Sequence, residues 1–136
     1  MRITQQQARD RFAQAPVARL GTTGDDGRPH LVPVTFAVRD DVIAIAIDHK
    51  PKRTTALRRL RNIEENPQVA LLADHYEDDW SQLWWVRVDG RAEVLTAPEH
   101  PELVDALAAK YPQYREQRPD KALIAITAQR WNGWHA

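Results

Sequence analysis

The sequence predicts a mainly β fold: about six strands in a closed or nearly closed antiparallel barrel, with helices at its periphery. Three observations carry this. Strand-like stretches follow one another across short turns such as Gly24-Asp25-Asp26-Gly27 and Asp40-Asp41. Apolar residues alternate with polar ones over much of the chain, and helical spacing is confined to two or three short segments. Consecutive hairpins build antiparallel sheets, whereas parallel strands need a long crossover each time.

Taken in order, Thr4-Gln5-Gln6-Gln7 fits a capping box, and Ala8, Phe12 and Ala15 then fall on one side of a short helix ended by Pro16. Residues 17–23 alternate weakly, Gly24 to Gly27 turns, and Pro29 to Val38 reads as one β-branched strand. After Asp40-Asp41, the run Val42-Ile43-Ala44-Ile45-Ala46-Ile47 is apolar throughout and too short for a helix, which predicts a strand buried on both faces. Ala56, Leu57, Leu60 and Ile63 have helical spacing, closed by Asn66-Pro67. Gln68 to Tyr76 is the next strand, followed by an acidic loop to Gln82. Leu83 to Thr96 alternates over a long span with Gly90 as a bulge or bend. Pro98 opens a helix with Leu103, Val104, Leu107, Ala108 and Tyr111 on one stripe, which predicts packing against the sheet. Residues 112–120 read as a polar loop, and Ala122 to Thr127 as the last strand before a tail, RWNGWHA.

Length and composition bound the function. A chain of 136 residues with 43% hydrophobic and 28% charged residues fits one globular domain, residues 1–136. Nineteen basic and nineteen acidic residues leave no overall field toward DNA or an anionic membrane. The start MRITQQQARDRF lacks an apolar leader and no apolar run approaches a membrane span, so a cytoplasmic protein with neither membrane nor nucleic-acid partner is expected. No cysteine is present, which removes disulfides, thiolate metal sites and cysteine nucleophiles. The one serine, Ser81, sits in no nucleophile turn, and the five histidines form no ligand motif, so no metal site is expected. No Gly-rich dinucleotide or nucleotide loop appears either. A chain so short of catalytic side chains suits chemistry carried by a bound cofactor, and no catalytic residue is named.

The segment KPKRTTALRRLR, residues 50–61, is where such a cofactor would be held. It has six basic side chains and no acid. Lys50, Lys52 and Arg53 precede a predicted helix, whose free N–H groups and positive dipole end favour an anion, and Thr54 and Thr55 add hydroxyls. The competing reading is a solvated helix face with ordinary pairs such as Arg61 with Glu65. A nucleic-acid groove fits less well, since the tryptophans lie outside the basic stretch and Glu77, Asp78 and Asp79 would repel a strand.

In order, the stretches ARLGTTGDDGRPHLVPVTF, LRNIEENPQVALL and WWVRVDGRAEV, with the buried strand and basic segment between them, resemble the pyridoxamine 5′-phosphate oxidase-like split β-barrel family, from about residue 16 to the end. KPKRTTALRRLRNI, DDWSQLWWVRVDG and RWNGW are similar to actinobacterial members that use the deazaflavin coenzyme F420 in place of FMN. The resemblance implies a six-stranded split barrel, FMN-binding in type, and a homodimer with two cofactor sites at the subunit interface. It places Val32, Pro33 and Val34 against the tricyclic ring and Lys50, Lys52 and Arg59 on the phosphate or tail, followed by Arg53, Thr54 and Arg61. Of the alternating pair Trp84 and Trp85 one would border the cofactor, taken as Trp85, and Trp131 and Trp134 would close the site; for each tryptophan, core or interface packing is the alternative. The implied function is F420-dependent hydride transfer to a small quinone- or enone-like substrate. The alternatives are an FMN reductase or oxidase of the same fold, or a non-catalytic flavin or tetrapyrrole binder. The basic region is longer than the compact basic pair of the FMN users, a departure that suits the longer F420 tail.

Overall fold

Hairpin turns and alternation account for most of what forms. The computed structural model describes residues 1–47 and 54–136, with the side chains of residues 54–57 also outside the described set. Its strands are β1 (Arg2–Ile3), β2 (Ala18–Thr23), β3 (Pro29–Val34), β4 (Ala37–Arg39), β5 (Val42–Ala46), β6 (Gln68–His75), β7 (Trp84–Thr96) and β8 (Ala122–His135). The helices are α1 (Gln5–Gln14), α2 (Thr54–Glu65), α3 (Pro101–Lys110) and α4 (Pro112–Glu116), with single 3-10 turns at Trp80–Gln82 and Ala97–Glu99. The pairings are all antiparallel, in the order β3-β2-β6-β7-β8-β5-β4, with β1 beside β8. The two ends of this order, β3 and β4, are consecutive in sequence and are not paired with each other, which is the split of a split barrel.

The barrel is filled by one face of each strand. Leu20, Ile43, Ile45, Leu71, Val86, Val88, Ile124 and Ile126 are almost wholly buried there. Phe12 of α1 plugs one end, with its ring 4.6 Å from Phe36 and 5.7 Å from Trp131. The predicted capping box starts α1: Thr4 Oγ1 accepts from Gln7 N, and Gln7 Oε1 accepts from Thr4 N. The doubly buried run of β5 is explained by two separate neighbours. Ile43 and Ile45 point into the barrel, while Ala44, with Ala37, Leu123 and Ala125, faces outward and is covered by Leu103, Val104 and Leu107 of α3.

Four expectations change. The stretch from Pro29 to Val38 is two strands, because the chain turns a corner at Thr35 and Phe36. That corner is caught by tyrosines: the Phe36 N–H donates to Tyr111 Oη at 3.1 Å, and Thr35 Oγ1 shares a hydrogen bond with Tyr114 Oη at 2.9 Å. No local pattern signals a corner held from residues so far along the chain. The final strand does not stop at Thr127. It runs on to His135, passing a bulge opposite Asp89 and Gly90, so the tryptophan tail is part of the sheet. Gly90 is required at that bend, since a Cβ there would lie 2.6 Å from Ile126 Cγ2 and 2.9 Å from the Thr127 carbonyl. The segment 112–120, read as a loop, contains α4, and the short β1 against β8 brings the strands to eight.

Candidate functional site

The first hairpin positions α2. At its tip, Glu65 Oε1 accepts from the Asp25 N–H at 2.8 Å. One turn earlier on the helix, the buried Asn62 donates from Nδ2 to Thr22 Oγ1 of β2 at 3.0 Å. Gly24 lets the two come this close, because a Cβ there would lie 2.6 Å from Glu65 Oε1 and 2.7 Å from Asn62 Oδ1. Running backwards from Glu65 through Asn62, α2 therefore lies along the hairpin. Arg59, three residues before Asn62 and on the same side of the helix, is set toward the level of Leu20 and its β3 partner Val32.

Two buried side-chain polar atoms have no hydrogen-bond partner among the described residues: Nε of Arg59 and Nδ1 of His30. His30 sits on β3 opposite Thr22, the residue that Asn62 holds. Burial pulls the Arg59 guanidinium below its ordinary pKa by desolvation. Native proteins leave few such groups unsatisfied, and those left over mark places for a bound molecule or ion. Sequence reasoning named Arg59 but missed His30; its place on the same strand face as Val32, inside the quoted RPHLVPV, was the available signal.

The neighbouring edge is also unusual. β3 ends the sheet, and Pro29 and Pro33 can stand in it only where no ladder N–H is needed, facing away from β2. Leu31, between them and of the same parity, then turns its N–H and C=O to the free edge too. The edge thus offers one N–H and the carbonyls of residues 29, 31 and 33 to whatever lies beside it.

The remaining predicted residues are distributed as follows. Val32 is half-buried and shares the inner face of β3 with His30, whereas Val34 is spent in the core and Pro33 is exposed on the outer face opposite Arg19. Arg61 is exposed on α2 and makes no ion pair among the described residues; Glu65, its expected partner, is engaged with Asp25. Thr54 begins α2, its side chain lying outside the described set. Lys50, Lys52 and Arg53 fall outside the described residues. Trp85 is half-buried on the outer face of β7, directly opposite Trp134, so within one chain it does not join Arg59. Trp131 is a core residue. Among the described residues no cluster of metal-ligating side chains occurs, and no helix is long and apolar enough to cross a membrane.

The sequence pattern of the pyridoxamine 5′-phosphate oxidase family matches residues 4–135. The chain belongs to that family. Solved structures share its split barrel at low identity. A conserved hypothetical protein of Mycobacterium tuberculosis is 24% identical, with a TM-score of 0.75 over 98% of this chain and 85% of that one. An FAD-binding protein of Mesorhizobium loti is 20% identical, with a TM-score of 0.74 over 98% and 93%. HutZ, the haem storage protein of Vibrio cholerae, is 17% identical, with a TM-score of 0.70 over 99% and 95%. Among curated proteins, none has a sequence that matches this one. Such likenesses establish the fold of the family member; its ligand has to be argued from the site.

Proposed function

We propose that this member of the pyridoxamine 5′-phosphate oxidase family is an oxidoreductase that holds a phosphate-bearing flavin-type cofactor, F420 in first place and FMN as the alternative, beside the β3 edge. The single observation that carries this reading is the pair of buried, unpartnered polar atoms on Arg59 and His30. A partly buried guanidinium whose Nε has no partner among the described residues suits the phosphate or acidic tail of such a cofactor. The FAD-binding neighbour of the same fold supports the flavin-type class. The length and charge of residues 50–61 favour the longer acidic tail of F420 over FMN.

Bound F420 would supply the hydride at its ring carbon C5, to a small quinone- or enone-like acceptor. The chain's part is to bind, orient and exclude water. Arg59 anchors the anionic end, with the N-terminus of α2 and the basic side chains before it as further candidates. The Leu31 N–H and the edge carbonyls meet the polar rim of a planar ring, and Val32 offers it an apolar contact. The working unit is a homodimer. On the outer face of the sheet Leu31 is 72% exposed and Leu72 40% exposed, with Trp85 and Trp134 in the same face, an apolar area suited to a second copy.

The test is a tryptophan-fluorescence titration of the cofactor-free protein with F420 and FMN, repeated on Arg59→Gln and combined with light scattering for mass. Saturable binding of F420, weakened about tenfold or more in Arg59→Gln, on a dimer split by Leu72→Arg, is the expected result. Preference for FMN would move the assignment to the alternative, and binding of neither would overturn it.

A further inference from the structure

A second site lies at the barrel end remote from the β2–β3 turn. The register places His75 of β6, Trp84 of β7 and His135 of β8 directly opposite one another, in a single cross-strand row. Arg11, in the last turn of α1, reaches over this row, with its guanidinium carbon 5.2 Å from the centre of the Trp84 ring. The His75 ring stacks on Trp84 at 6.5 Å between centres, only 20° from parallel. Between these groups, Ser81 and Leu83 opens a cleft of about 440 Å³, a volume in the range that takes small organic molecules.

The charges around the cleft are not balanced in their commitments. Among its acidic neighbours, Asp79 accepts from both the N–H and the hydroxyl of Ser81, Glu77 is held by His75 Nε2, and Asp10 accepts from Gln6 and Arg9 on α1. The cationic side is left open. Arg11 makes no hydrogen bond or ion pair with any described residue, so all its donors are available. His75 uses Nε2 on Glu77 and His135 uses Nδ1 on the Ala136 carbonyl, so the second ring nitrogen of each carries a lone pair that can take a proton or accept a hydrogen bond. A second cleft of about 350 Å³ on the α1 side shares Arg11 and His135.

From this geometry we infer that the Arg11, Trp84, His135 cleft binds a small organic anion, its carboxylate or phosphate held by Arg11 and by His135, which takes up a proton at Nε2 to donate to it, and its apolar body against Leu83 and Trp84. A planar guanidinium fixed over an indole is well placed to clamp two oxygens of one anion. The site shares no residue with the proposed cofactor site, so each can fail alone.

The measurement is a nitrogen-15 NMR titration of the full chain, following the Trp84 indole and the His75 and His135 rings. Inorganic phosphate and benzoate are the probes, with chloride matching ionic strength. Saturable shifts at Trp84 and His135 are expected with one or both probes, weakened at least about tenfold in Arg11→Gln and in His135→Gln, and retained in Arg59→Gln. A response to phosphate alone assigns the phosphate class, and to benzoate alone the carboxylate class. Absence of saturable shifts at these residues, or shifts that persist unchanged in both site variants, overturns the inference.

Discussion

Helices α2 and α3 flank one sheet, and the contacts that hold them differ in chemistry. The contact face of α3 is apolar, with Leu103, Val104 and Leu107 packed on alanines and leucines of β4, β5 and β8. α2 lays Leu60 and Ile63 on the barrel core and adds polar ties that α3 lacks along its contact face: Asn62 on Thr22 and Glu65 on Asp25, with Arg59 Nε unpartnered among the described residues. An apolar seat is strong and tolerant of small sliding, whereas hydrogen bonds hold position to a fraction of an ångström. α3 therefore serves stability, and α2 has the kind of attachment that a binding site needs.

The largest way to break the contrast is Leu107→Ala. It should lower stability by about 2–5 kcal/mol in urea unfolding, while the cofactor affinity of the folded fraction stays the same. Asn62→Ala comes next. It strands the buried Thr22 hydroxyl, at a cost of about 1–3 kcal/mol, and should also weaken the cofactor because α2 loses its register. The double variant Thr22→Val with Asn62→Leu sharpens the point: it should recover stability measured by urea but not affinity measured by titration. If affinity returned with stability, α2 would be no more than a second apolar cover.

The smallest effect is on pH dependence at the α3 side. Lys110, the last residue of α3, donates to the Ala15 carbonyl at 2.7 Å and lies 3.7 Å from the centre of the Phe36 ring. Burial lowers its pKa from the usual 10.5 to about 8. Between these values the unfolded chain still holds a proton that the native lysine has released, so stability should rise as pH climbs from about 8. Tyr111, whose pKa burial raises, opposes this only above its ordinary 10.0. Urea midpoints between pH 7 and pH 9.5 should show the rise in the wild type and its loss in Lys110→Met.

Much of this arrangement was readable in the chain. A weak alternation and the Gly24 to Gly27 turn predicted the hairpin, and the VIAIAI run predicted a strand with two covered faces because both its parities are apolar. Arg59 was singled out through the family resemblance, and its Nε is buried without a partner among the described residues. What escaped depends on partners distant in sequence. The corner at Thr35 and Phe36 is held by Tyr111 and Tyr114, and the tail became strand because β7 and β1 offered it neighbours. His30 escaped for another reason: its value lies in the lack of a partner, which only packing reveals.

The position of β8 between β7 and β5 has a consequence for biosynthesis. β5 hydrogen-bonds along one edge to β4, formed early, and along the other to β8, pairing Ile45 with Ile124. During translation one edge of an almost wholly apolar strand must wait until Leu123 to Thr127 emerge from the ribosome. Such a strand is prone to pair with the wrong chain in the interval. The nascent protein should thus depend on chaperone cover over Val42 to Ile47 until residue 127 is out, a need that the finished barrel no longer shows.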